Sequence, residues 1–143
     1  MQESLRAGLS MVKRIVVDVD RTISFMGEEG RVYATPSLAS DIEYTCRELI
    51  KEHVGPGEDS VGMEIALRHL APTLLGMEVE ISVRVIAVEG RKVSFEVSAR
   101  DEIETISTGS HARFVVDVAK TYERLRAKAA KHASLRAPSQ GRV

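Results

Sequence analysis

Hydrophobic positions recur at helical spacing in one stretch above all, Val32 to His53, V-Y-A-T-P-S-L-A-S-D-I-E-Y-T-C-R-E-L-I-K-E-H. Leu38, Ile42, Cys46, Leu49 and Ile50 return every three or four residues and make one apolar stripe. The start is marked by Thr35, expected as the N-cap, and by Pro36 at the first helical position, where its missing N–H costs nothing. At about 100° per residue, Glu43 falls inside the apolar arc, between Ile50 and Val54. Asp41, Glu48 and Glu52 keep to the polar side. A carboxylate turned toward a core-facing side needs a reason, since desolvating it unpaired is costly. No other predicted helix carries one.

Around this helix the period changes. Lys13 to Asp20, K-R-I-V-V-D-V-D, is β-branched and predicts a strand. Arg21 to Gly30 surrounds Ile23, Phe25 and Met26 with charges and two glycines, and reads as a loop able to cover something. G-P-G-E-D-S (Gly55 to Ser60) is a turn cluster. From Val61 to His69 the period is two, with Met63, Ile65, Leu67 and His69 in phase. Met77 to Val88 alternates strictly, Glu89-Gly90 signals a hairpin, and Val93, Phe95, Val97 and Ala99 alternate on the return strand. Ile103 to Val118 predicts the last long strand, with Gly109 as a bulge or close-approach point. Residues from Ala119 to about Ser134 form a helical pattern rich in Ala, Lys and Arg.

The expected class is α+β: long antiparallel strands packed on one helix. Residues 1–12 read as an N-terminal extension, 13–118 as the domain, 119–134 as a C-terminal helix and 135–143 as a disordered tail. A single helix covers little of such a sheet, and the apolar area left over predicts a homodimer. Composition narrows the rest. A net charge of −1 gives no global field for nucleic acid or an anionic membrane. The basic C-terminal pattern reads as a solvated helix face, and no aromatic platform accompanies it for nucleic-acid binding. No run approaches the roughly 18 apolar residues of a spanning helix, and the start lacks a signal-peptide core. The one cysteine, Cys46, fits a reducing cytoplasm and reads as a core thiol. His53, His111 and His132 have no metal-ligand spacing, and no dinucleotide, Walker or G-x-S-x-G pattern occurs. No cofactor is expected.

Four segments together carry a resemblance: A-T-P-S-L-A-S-D-I-E-Y-T-C (Ala34 to Cys46), S-V-G-M-E-I-A-L-R-H (Ser60 to His69), V-E-G-R-K-V-S-F-E-V-S-A (Val88 to Ala99) and G-S-H-A-R (Gly109 to Arg113). From about Ile15 to Val118 the chain resembles hotdog-fold thioesterases of the fluoroacetyl-CoA thioesterase family. The resemblance implies an antiparallel sheet wrapped around a central helix, and hydrolysis of an acyl-CoA or acyl-carrier thioester. It puts the family's catalytic threonine on Thr35, its glutamate on Glu43 and its histidine on His69. It matches a glycine near the thioester carbonyl to Gly62 and a last-strand arginine to Arg113. The phenylalanine-rich lid of the family corresponds to Ile23 to Tyr33, where Phe25 and Tyr33 are separated by G-E-E-G-R. A small or medium acyl-CoA is therefore the expected substrate.

These residue types suit the reaction. Thioester hydrolysis needs an attacking oxygen, a proton acceptor and stabilisation of the charge growing on the carbonyl oxygen. A helix start offers free N–H groups and the positive end of a dipole. Glu43 on an apolar side is expected to have a raised pKa, suited to a general base, and an imidazole titrates in the working range. Each residue also has a structural reading. Thr35 can be only a cap, Glu43 can pair with a cation across a subunit interface, and His69 can be a hydrogen-bonded half-buried histidine. Gly62 can simply permit a tight strand start, and Arg113 can pair with Glu96 across the sheet. The rival function is a non-catalytic acyl- or ligand-binding module using the same cavity; a tail-driven nucleic-acid binder is a third.

Overall fold

The computed structural model describes residues 1–136; of the tail expected over 135–143, residues 135 and 136 belong to the last helix and 137–143 lie outside the described residues. The period-two segments form β4 (Glu58–His69), β5 (Glu78–Glu89), β6 (Lys92–Arg100) and β7 (Thr105–Asp117), joined to an N-terminal strand β1 (Ser10–Val16). They make one sheet in the order β1-β5-β6-β7-β4, antiparallel at every seam. The helix expected within Val32 to His53 is α1 (Thr35–Lys51), which starts one residue before Pro36. It buries Leu38, Ile42, Cys46, Leu49 and Ile50 together with Thr45. Against them stand Val79, Ile81, Val83 and Val85 of β5 and Val93, Phe95, Val97 and Ala99 of β6, every one of them core. Alternation thus supplies one apolar sheet face, and the stripe of α1 covers it. This is the hotdog arrangement.

The hairpin between β5 and β6 turns at Gly90 and Arg91, one residue later than the sequence signal; Gly90 sits at φ 63°, as the first central position of such a loop requires. Asp101 closes the next turn by accepting from the N–H groups of Ile103 and Glu104, at 2.8 and 3.0 Å. Residues before Lys13 do more than extend the chain: Leu5 lies in the core, and β1 starts at Ser10. The segment between β1 and α1 holds a short antiparallel pair, β2 (Thr22–Ile23) and β3 (Val32–Tyr33). At its tip Phe25 and Met26 are 88% and 70% exposed. After β7 the chain continues as α2 (Val118–Arg136), in which no residue is buried.

Strand β4 is an open edge. Only Ser60 along it is buried, while Val61, Met63 and Ile65 are 46%, 48% and 40% exposed. The strand is also bulged between Gly62 and Glu64, which takes Met63 out of phase, while Ile65, Leu67 and His69 keep the one face expected of them. Gly62 and His69 are seven residues apart, an odd number, so an unbroken strand would send them to opposite faces. Their partners on β7 are Arg113 and Ser107, six apart and therefore on one face. The extra residue at Met63 brings Gly62 and His69 back to the same side, toward α1.

Candidate active site

Thr35 begins α1 but does not cap it. Ala34 is the N-cap residue, with no side-chain cap bond. The Thr35 hydroxyl instead forms a hydrogen bond of 2.7 Å with Nδ1 of His69, at the end of β4. Thr35 is exposed, so its oxygen is reachable from solvent. His69 is half-buried, and desolvation holds its pKa below the ordinary 6.5, favouring a neutral ring able to accept a proton. Behind it stands the buried ring of Tyr33, edge-on at 6.5 Å between centroids. The Tyr33 hydroxyl donates to Asp41, whose carboxylate also receives Nε and Nη2 of Arg21, at 2.9 and 3.2 Å. Ile23, Val32, Leu70 and Pro72 surround the Thr35–His69 pair in a cavity of about 300 Å³. The loop ahead of α1 therefore does cover something: its short β2–β3 pair walls this opening.

Glu43, Gly62 and Arg113 form a second group. A Cβ on Gly62 would lie 2.8 Å from Oε1 of Glu43, 3.4 Å from His111 and 3.6 Å from Nη1 of Arg113. The missing side chain is what lets the carboxylate lie against the strand. Arg113 is buried, its Nε and Nη2 each 2.8 Å from the hydroxyl and the carbonyl oxygen of Ser60. Burial lowers its pKa, with the Glu43 charge acting in the opposite sense. Arg113 does not reach Glu96, which pairs with Arg84 at 3.1 Å. His111 donates Nδ1–H to the Glu64 carbonyl at 2.7 Å, leaving Nε2 to accept from Arg113 at 3.3 Å. Burial depresses its pKa as well. Nε2 is 3.9 Å from Glu43, whose side chain remains 41% exposed. This group opens into a cavity of about 410 Å³ lined also by Ser40, Tyr44 and Arg47.

Within one protomer the two groups stay apart, and their cavities share no lining residue. Gly62 and His69 are separated by seven residues of strand, roughly 20 Å. The chain thus brings Thr35 to His69, and Glu43 to Gly62 and Arg113, but not the first pair to the second. Tyr33, Ser60 and His111 were not singled out in the sequence as site residues. His111 was within reach, being in phase with Arg113 two positions later on the same strand.

An antiparallel sheet wrapped around one long helix is the hotdog fold, shared with proteins of the thioesterase superfamily. A family model of fluoroacetyl-CoA-specific thioesterases matches residues 17–119, and the chain belongs to that family. It is 30% identical over 135 residues to fluoroacetyl-CoA thioesterase of Streptantibioticus cattleyicolor, covering 90% of this chain and 97% of the relative. Among solved structures, a fluoroacetyl-CoA thioesterase superposes with a TM-score of 0.80 at 30% identity, over 87% of this chain and 97% of the other. A Thermus thermophilus thioesterase superfamily member gives 0.85 at 27% identity, over 93% and 99%. The protein is accordingly a thioester hydrolase.

Proposed function

We propose that the protein is a homodimeric acyl-CoA thioesterase for small or medium acyl groups, and that each site is built from both protomers. The observation that carries the reading is the distribution of the two half-sites. Thr35–His69 and Glu43–Gly62–Arg113 lie on one face of the same edge strand, β4. An exposed edge bearing apolar residues is a template for pairing. Antiparallel pairing of β4 with its own copy about a two-fold axis near Ile65–Ala66, midway between residues 62 and 69, sets Gly62 of one protomer beside His69 of the other. Each Thr35–His69 pair then meets the other subunit's Glu43, Gly62 and Arg113.

The chemistry follows from that assembly. The thioester carbonyl lies over the start of α1, where free N–H groups and the Gly62 backbone stabilise the developing oxyanion. Thr35 either attacks the carbonyl carbon or orients the attacking water, and the proton passes to Nδ1 of His69. Collapse breaks the C–S bond, and the imidazolium returns the proton to the departing thiolate. Where Thr35 is acylated, Glu43 takes a proton from the water that attacks the ester, and that proton passes to the Thr35 oxygen as the acyl–oxygen bond breaks and the acid leaves. General acid–base catalysis of this kind contributes about 10²–10⁴-fold. A carboxylate that faces a neutral His111 and a hydrogen-bonded Arg113 is held in place without being consumed in an ion pair. A reducing, cytoplasmic setting fits a single cysteine buried in the core.

A panel of acyl-CoAs of increasing chain length, read by a thiol reagent, tests the reading. Turnover of short or medium chains that falls at least about tenfold in Glu43→Gln, with the fold intact, supports it. Saturable binding with no turnover at any length would make the protein an acyl-binding module instead.

A further inference from the structure

Two buried side-chain polar atoms among the described residues have no hydrogen-bond partner: Nε2 of His69 and Oγ of Ser107. They belong to residues that face each other across the β4–β7 seam. The next step of the ladder, Leu70 N–H to the Ile106 carbonyl at 2.7 Å, is a hydrogen-bonded one. Residues 69 and 107 are therefore a non-hydrogen-bonded pair, the geometry in which opposed side chains stand closest. Buried polar groups are almost always paired, so two orphans facing one another at a site call for an explanation.

We infer that Ser107 is the positioning residue of His69: its hydroxyl oxygen accepts the Nε2 proton, directly after rotation about χ1 or through one water. The requirement comes from the other side of the ring. Nδ1 is already committed to Thr35 at 2.7 Å. To take the Thr35 proton, Nδ1 must carry the lone pair, which puts the ring's own hydrogen on Nε2. That buried N–H needs an acceptor. The Tyr33 hydroxyl, on the ring that backs His69, is engaged with Asp41. Ser107 is fully buried and otherwise unoccupied, and it can accept. A hydroxyl–imidazole–hydroxyl relay results, with Ser107 choosing the tautomer that makes His69 a base rather than a donor toward Thr35.

The inference deepens the proposed thioesterase site and rests on His69 serving Thr35. It is tested by nitrogen NMR of the full-length protein labelled at histidine, with acyl-CoA kinetics on the same samples. His69 is expected to carry its hydrogen on Nε2. In Ser107→Ala the hydrogen is expected to move largely to Nδ1, with kcat down about tenfold and KM unchanged. Ser107→Cys, similar in size and a weak acceptor, is expected to fall between, and with the wild-type tautomer it decides the matter if the alanine variant does not fold. A wild-type ring protonated on Nδ1 would overturn the inference, as would a folded Ser107→Ala with unchanged tautomer and kcat. His69→Ala separates the two levels. If it keeps full turnover, the thioesterase site itself fails; if it abolishes turnover while Ser107→Ala changes nothing, only the role of Ser107 fails.

Discussion

A methyl group at Gly62 would occupy the space of the Glu43 carboxylate, 2.8 Å from Oε1. Because the obstacle is the end of a flexible side chain, the carboxylate can swing away at modest cost. Gly62→Ala is therefore expected to lower kcat at least about tenfold while shifting stability by no more than about 1 kcal/mol, measured by acyl-CoA kinetics and thermal unfolding. The half-buried His69 and the buried His111 make a second prediction at this scale. Both His69 and His111 have pKa values depressed below 6.5, chiefly by burial. The unfolded chain then binds more protons than the folded one, so stability rises with pH. Their contribution is complete above about 6.5 and is lost as pH falls through the lower folded values. Unfolding temperature should drop between about pH 7.5 and about pH 5.5, and less so in His111→Gln, provided that variant folds; an unchanged slope would contradict this.

At the scale of elements, α1 was legible because Leu38, Ile42, Cys46, Leu49 and Ile50 keep strict helical spacing and Pro36 marks the start. Thr35 was legible in place but not in action. A hydroxyl one residue before a helical proline has the signature of a cap, yet it turns to an imidazole 34 positions away in sequence. Local pattern cannot report that distance. The bulge in β4 was hidden for a related reason. It costs one residue of register, and the glycine beside it, Gly62, also fits a tight strand start, so period two ran through it uninterrupted. Gly109 was legible as a close-approach point, and the structure gives the reason. A Cβ there would sit 2.1 Å from the Ala66 carbonyl oxygen and 3.0 Å from the Leu67 Cα, both backbone atoms. Gly109→Ala is expected to pry β4 from β7 and destabilise the fold by roughly 1–3 kcal/mol, read by chemical denaturation.

The whole molecule explains why five residues that share a resemblance do not share a cavity in one protomer. The sheet has closed four seams around α1 and left the outer edge of β4 bare, with apolar residues and unpaired backbone groups along it. Pairing two copies along that edge, as proposed, would satisfy the backbone and cover Val61, Met63 and Ile65 in one step. Light scattering coupled to size exclusion should give twice the chain mass at micromolar concentration. Met63→Lys, placing a charge at the seam, should shift the protein toward monomer and lower its activity in parallel.

The most direct measurement mixes two inactive variants. His69→Ala and Glu43→Gln are purified separately, allowed to exchange subunits, and assayed for acyl-CoA hydrolysis. If Thr35–His69 works with the other protomer's Glu43, each mixed dimer holds one site free of substitutions, and activity should return to about a quarter of the unsubstituted protein's. If mixing restores nothing although the subunits have exchanged, the catalytic residues do not meet across the interface, and the site described for this enzyme is contradicted.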